Sequence, residues 1–177
     1  MTLVQPFHII GFFSAFPSDI IRSVDVYAGG FGAKYGGRLS SVIDVTSRNG
    51  NKRRFEAAAS VGTFLTSVRL EGPLKVGKTS FLASVRESVV SEVLPNALVG
   101  DLPFKFGDEF LKVHSTLNDG SQLSVTLVNS HDRGQIDETE SLKSDDLSDL
   151  LNVETKPSLD EIKWGNTALG FRLVTIP

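Results

Sequence analysis

Along most of the chain apolar and polar residues alternate with a period of two, and this alternation predicts β-strands with one apolar face each. Phe55, Ala57, Ala59 and Val61 share a face, and after Gly62–Thr63, where a hairpin is expected, the pattern resumes through Thr66, Val68 and Leu70. Phe81, Ala83 and Val85 alternate with Ser80, Ser84 and Arg86; Leu111, Val113 and Leu117 alternate with Lys112, His114 and Thr116. Leu123, Val125 and Leu127 alternate with Gln122, Ser124 and Thr126, and Ile162–Leu173 puts Leu169, Phe171 and Leu173 together. The pattern amounts to about six antiparallel strands after residue 50.

The first fifty residues read differently. Two short β-like runs, Ile20–Tyr27 and Leu39–Ser47, flank the glycine-dense segment Ala28–Arg38. Its five glycines in eleven residues are expected to supply positive φ and close backbone approach. Upstream, Phe12, Phe13 and Phe16 crowd among small residues and predict a packed irregular segment. The connections between the later strands alternate in length. Gly72–Lys78 and Asn118–Ser121 are short, while Val89–Gly107 and the acidic stretch Arg133–Asp160 are long. Consecutive connections lie on opposite rims, so short turns gather on one rim and long loops on the other, the rhythm of an outer-membrane barrel. The acidic stretch has too few apolar residues to pack alone, and a solvated loop is expected.

Composition removes several alternatives. A net charge of −3 over 177 residues offers no basic footprint for nucleic acid. The chain has no cysteine, which excludes thiolate metal sites, disulfides and thiol nucleophiles. No apolar run reaches the ~18 residues of a spanning helix. A mean hydropathy of +0.00 is compatible with a barrel, whose strands need only every second residue apolar. Met1–Pro6 lacks the basic and apolar regions of a secretory leader, so the natural N-terminus is expected further upstream.

Candidate chemical motifs fail on inspection. Gly32–Gly37 has the G-x-x-x-x-G spacing of a phosphate loop, but Arg38 and Leu39 replace the required Lys and Ser/Thr, and a β-patterned run replaces the helix. The dinucleotide G-x-G-x-x-G pattern fails because Tyr35 occupies its last glycine position. His8, His114 and His131 lack ligand spacing, so surface or polar-face histidines and no metal are expected. No G-x-S-x-G elbow accompanies the Ser, His and Asp residues, and neither catalysis nor a cofactor is expected. The carboxylates of Asp137–Asp160 lack the order of a calcium loop. Lys52, Arg53 and Arg54 are expected to face water at a rim, and Trp164 reads equally as an interfacial girdle aromatic or as a half-buried residue.

Gly11–Arg48, GFFSAFPSDIIRSVDVYAGGFGAKYGGRLSSVIDVTSR, resembles the C-terminal part of the plug domain of TonB-dependent outer-membrane receptors. Ile21–Gly29, Tyr35–Gly37 and Ser41–Thr46 match that family's strand, YGG turn and second strand in order. Glu71–Pro73 and Trp164–Asn166 are similar to its first tight turn and a later barrel strand. The resemblance implies a mainly β chain. Residues 1–50 would be the end of a plug, with Gly29, Gly30, Tyr35, Gly36, Gly37 and Arg38 as its structural motif. Residues 51–177 would be the first strands of a large transmembrane barrel of about twenty-two strands. It further implies a receptor fragment in the cell outer membrane, in contact with lipid. The whole receptor would import a scarce ligand (siderophore, cobalamin, glycan or peptide), energised by the TonB protein through a segment absent here. About six strands cannot close such a barrel, so the isolated chain is expected to aggregate or misfold.

The competing reading is a soluble antiparallel β-sheet module for binding or adhesion. The two differ in what meets the apolar face, lipid in a barrel wall or a second sheet in a sandwich. The small Ala57 and Ala59 suit a sandwich core poorly.

Overall fold

A computed structural model of the chain describes residues 7–8, 11, 13–36, 41–89, 104–137 and 159–175, without the side chains of 135–137 and 159–160. The protein is mainly β, with antiparallel sheets. Among the described residues three sheets form: β1 (Phe7–His8) with β2 (Phe13–Ser14), β3 (Ile21–Ala28) with β4 (Ser41–Ser47), and a six-stranded sheet. The last comprises β5 (Glu56–Val61), β6 (Leu65–Lys75), β7 (Thr79–Ser88), β8 (Phe104–Thr116), β9 (Gln122–Asp137) and β10 (Leu159–Val174). Its spatial order follows the chain, each strand bonded to its sequence neighbour.

The expected six strands and the separate pair before them are therefore present, and the hairpin at Gly62 closes with a bond from Gly62 N to Leu65 O of 2.8 Å. The strands are longer than alternation suggested. β6 runs through Glu71–Pro73 to Lys75, which shrinks the first short turn to Val76–Lys78. β8 starts at Phe104, β9 continues to Asp137 and β10 begins at Leu159, so parts of both predicted long connections are paired strand. The cause is main-chain satisfaction. Once Phe104 is in register with Gly134 and Leu159 with Asp137, the ladder pairs backbone groups whatever the side chains are. What remains of the two connections, 90–103 and 138–158, lies outside the described residues.

The packed core is small. Ile20, Leu82, Phe110 and Val128 form its buried centre, with Phe16 and Ile21 packed against it. It joins the N-terminal segment to the middle of one sheet face. The segment lies on that face, and the packing expected of its aromatics is seen at Phe13, 5.1 Å from Phe106, ring centre to ring centre. Phe12 is outside the described residues.

Candidate functional site

Register alone sorts the side chains of the large sheet into two unlike faces. One row crosses all six strands as Ala57, Leu70, Ala83, Leu111, Leu127 and Leu169. The neighbouring row on that face holds Phe81, Val113, Val125 and Phe171. Leu70, Leu111, Leu127, Leu169 and Phe171 are exposed, Leu111 to 42% and Phe171 to 71%, while Phe81, Ala83, Val113 and Val125 are half-buried. The other face carries Ser80, Ser84, Arg86, Asp108, Lys112, His114, Ser130 and Asp132, and all of them are buried. The usual arrangement of a water-soluble sheet is inverted, with the charged face covered and the apolar face bare.

What covers the charged face is held by ionic contacts. His8 is wholly buried, stacked on Phe106 at 4.5 Å, with Nδ1 2.7 Å from Asp132 and Nε2 2.7 Å from Asp108. Asp108 also accepts from Arg86, whose Nε lies 2.7 Å away and whose other end donates to the carbonyl of Ser14. A neutral imidazole donates from one nitrogen only, so a ring set between two carboxylates at this distance is the charged imidazolium. Burial alone would lower the His8 pKa, but the bonds and charges of Asp108 and then Asp132 outweigh it and raise it.

A second cluster fixes the junction between the small and large sheets. Arg48 makes a two-pronged pair with Glu71 at 3.0 and 2.8 Å, and its Nε donates to Asp19 O at 2.7 Å. Glu71 also accepts from Asn51 N and Arg69. Further along, Lys112 Nζ donates to the carbonyl and hydroxyl oxygens of Ser47 at 2.9 and 3.1 Å. The chain passes so close here that a Cβ on Gly50 would sit 1.9 Å from Phe81 O.

The glycine motif is arranged otherwise than expected. Gly29 has φ +76, but Gly30 and Gly36 do not adopt positive φ, and nothing lies within 4 Å of a Cβ built at any of the three. Close backbone approach is therefore not their role. Tyr35 is the anchor: its hydroxyl donates to Asp44 on β4, which Lys34 also reaches at 3.2 Å, and its ring meets that of Tyr27 at 5.4 Å. Gly37 and Arg38 are outside the described residues.

Other expected positions fall as follows. Arg53 and Arg54 face water, whereas Lys52 is tied to Thr116 Oγ1 at 2.6 Å. Trp164 stands in register with buried Asp132 and is itself half-buried, so it belongs to the covered face and the girdle reading is dropped. His114 bonds Ser124 at 3.0 Å on the covered face. His131 lies on the open face, 3.8 Å from both Glu87 and Glu109. These three side chains, from three adjacent strands, set one ligand atom each within 4.8 Å of the others, a spacing that can hold one divalent cation. Sequence spacing hid this group because only strand register assembles it.

Comparison with known proteins found no matching family model, no matching curated protein and no matching solved structure.

Proposed function

We propose that the chain is part of a TonB-dependent outer-membrane receptor. Residues 1–50 form the end of its plug and residues 51–177 the first strands of its barrel wall, in a protein that takes up a scarce ligand. The observation that carries this reading is the inverted sheet. A bare apolar row across six strands suits acyl chains, while a charged face suits the polar interior of a plugged barrel. The segment seated on that face, with His8 and Arg48 bonded to wall residues, corresponds to the plug.

Two further features support it. The apolar band slants across the sheet: the row of Ala59 ends on Thr167, about four residues from Phe171 at the middle of the β10 apolar run. That is ~13 Å along the strands for ~24 Å across them, a slope of roughly 30°, near the strand tilt of a barrel. A level membrane crossing tilted strands requires such a slip. The turns Val76–Lys78 and 117–121 share one rim, and the two long connections leave from the other, which also carries the tight Gly62–Phe64 hairpin. In this setting further strands continue from β5 and β10, outer-membrane lipid meets the bare face, and the TonB energy-coupling protein acts through a segment other than those described.

Since the chain has no cysteine, single-cysteine probes give a direct test. Fluorophores at Leu70, Leu127 and Phe171 in protein reconstituted in vesicles are expected to be quenched by lipids brominated on their acyl chains, and fluorophores at Ala58 and Ser60, exposed positions of the opposite face, are not. Equal, water-like signals at all five positions would remove the receptor reading and favour the soluble binding module.

A further inference from the structure

Between the β3–β4 pair and the polar face of β8–β10 lies an open cavity of about 390 Å³. Its charged walls are Arg22, Lys112, Arg172 and a single carboxylate, Asp44, with His114 beside them. Asp44 is already engaged by Tyr35 and Lys34. Lys112 is only 8% exposed, and the groups it bonds are the neutral oxygens of Ser47. Its charged neighbours across the cavity are Arg172 and Arg22, which repel it. Asp44 attracts Arg172 across the cavity, but among the described residues no carboxylate stands at ion-pair distance from any of these three cations.

A buried ammonium facing two guanidinium groups is an unfavourable arrangement unless an anion joins it. We propose that this cavity binds a small, multiply charged oxyanion of the phosphate class. Lys112 is the deepest contact, and Arg22 and Arg172 flank the entrance. Arginine forks match pairs of phosphate oxygens, and the hydroxyls of Ser124 and Thr126 in the same lining can donate to the remainder. The volume suits a compact ligand. The inference does not rest on the receptor reading, because the cavity is bounded by residues of this chain alone.

The test is calorimetric titration of the full chain with inorganic pyrophosphate in detergent micelles, which shield the bare face and open edges that would otherwise drive aggregation, on preparations that show a cooperative thermal melt. One saturable site is expected, weakening as sodium chloride is added. Lys112→Met and Arg172→Gln should each weaken it by about tenfold or more, as expected for loss of one charge-assisted contact, while Lys163→Gln, outside the cavity, should not. Without an anion Lys112→Met should also melt higher than the parent, since it removes an uncompensated buried charge. Pyrophosphate should raise the melting temperature of the parent and not that of the variant. Should Lys112→Met fail to fold, Arg172→Gln, an exposed position, decides. No saturable binding by the parent, or unchanged affinity in the cavity variants, would overturn the proposal.

Discussion

His8 Nδ1 lies 2.7 Å from a carboxylate oxygen of Asp132, a residue 124 positions away in sequence. Together with the Asp108 contact on the other ring nitrogen, it makes one protonated ring the bond between the N-terminal segment and two strands of the sheet. The raised pKa of His8 fixes the sign of its pH dependence. The stabilisation is fully present below the unfolded value of about 6.5 and is lost as pH rises through the higher folded value. Urea unfolding from about pH 6 to 9 should therefore show stability falling with pH, and His8→Asn should flatten that slope. An unchanged slope in the variant would assign it to other groups.

Glu71 is 2% exposed and is held by Arg48, Arg69 and the backbone of Asn51. Glu71→Ala leaves the Arg48 guanidinium without its carboxylate and Arg69 with Asp19 alone, and should cost about 3–5 kcal/mol. Adding Arg48→Met should recover part of the loss, a coupling that a double-mutant cycle in urea measures. Strict additivity would mean that the pair contributes nothing of its own.

Two glycines separate packing from motif. Gly50→Ala must push a methyl group into the carbonyl of Phe81 and should cost several kcal/mol, about the upper range for single substitutions. Gly30→Ala meets nothing within 4 Å and should stay within about 0.5 kcal/mol. Thermal melts of the two variants give the comparison, and equal effects would contradict the close passage of residue 50 against β7.

Tyr35 and then Lys34 bond Asp44 and hold its carboxyl below the ordinary carboxylate range. The linked stability is present above the unfolded pKa and is lost as pH falls through the depressed value. In Tyr35→Phe, the Asp44 carboxyl carbon observed by NMR should titrate at higher pH than in the parent, with the rest of the spectrum retained.

The strands were legible because alternation is a local property: Leu111 and Leu127 each announce their face without knowledge of the other. Strand length was not, since Phe104 and Leu159 are in strands only because Gly134 and Asp137 stand opposite. The ionic contacts were illegible for the same reason, as His8, Asp108 and Asp132 meet only after three strands are aligned. The nearest signal was ambiguous. Arg86, Asp108, Lys112 and Asp132 place charges of both signs at strand positions opposite an apolar face, but a solvated strand face shows the same pattern, so it is the assembled register that distinguishes the two. The glycine-rich segment misled because glycine density says nothing of which glycine is crowded, and Gly50, outside it, is the crowded one.

The serial strand order has a temporal consequence. Every pairing in the large sheet joins strands adjacent in the chain, so the meander can grow hairpin by hairpin, each closure spanning a single connection. The contacts of His8 and Arg86 with their partners on the opposite segment instead span 124, 100 and 72 positions. The sheet is therefore expected to form before the segment that covers it, so the charged surface meets water until a stretch of chain that precedes the sheet in sequence closes over it.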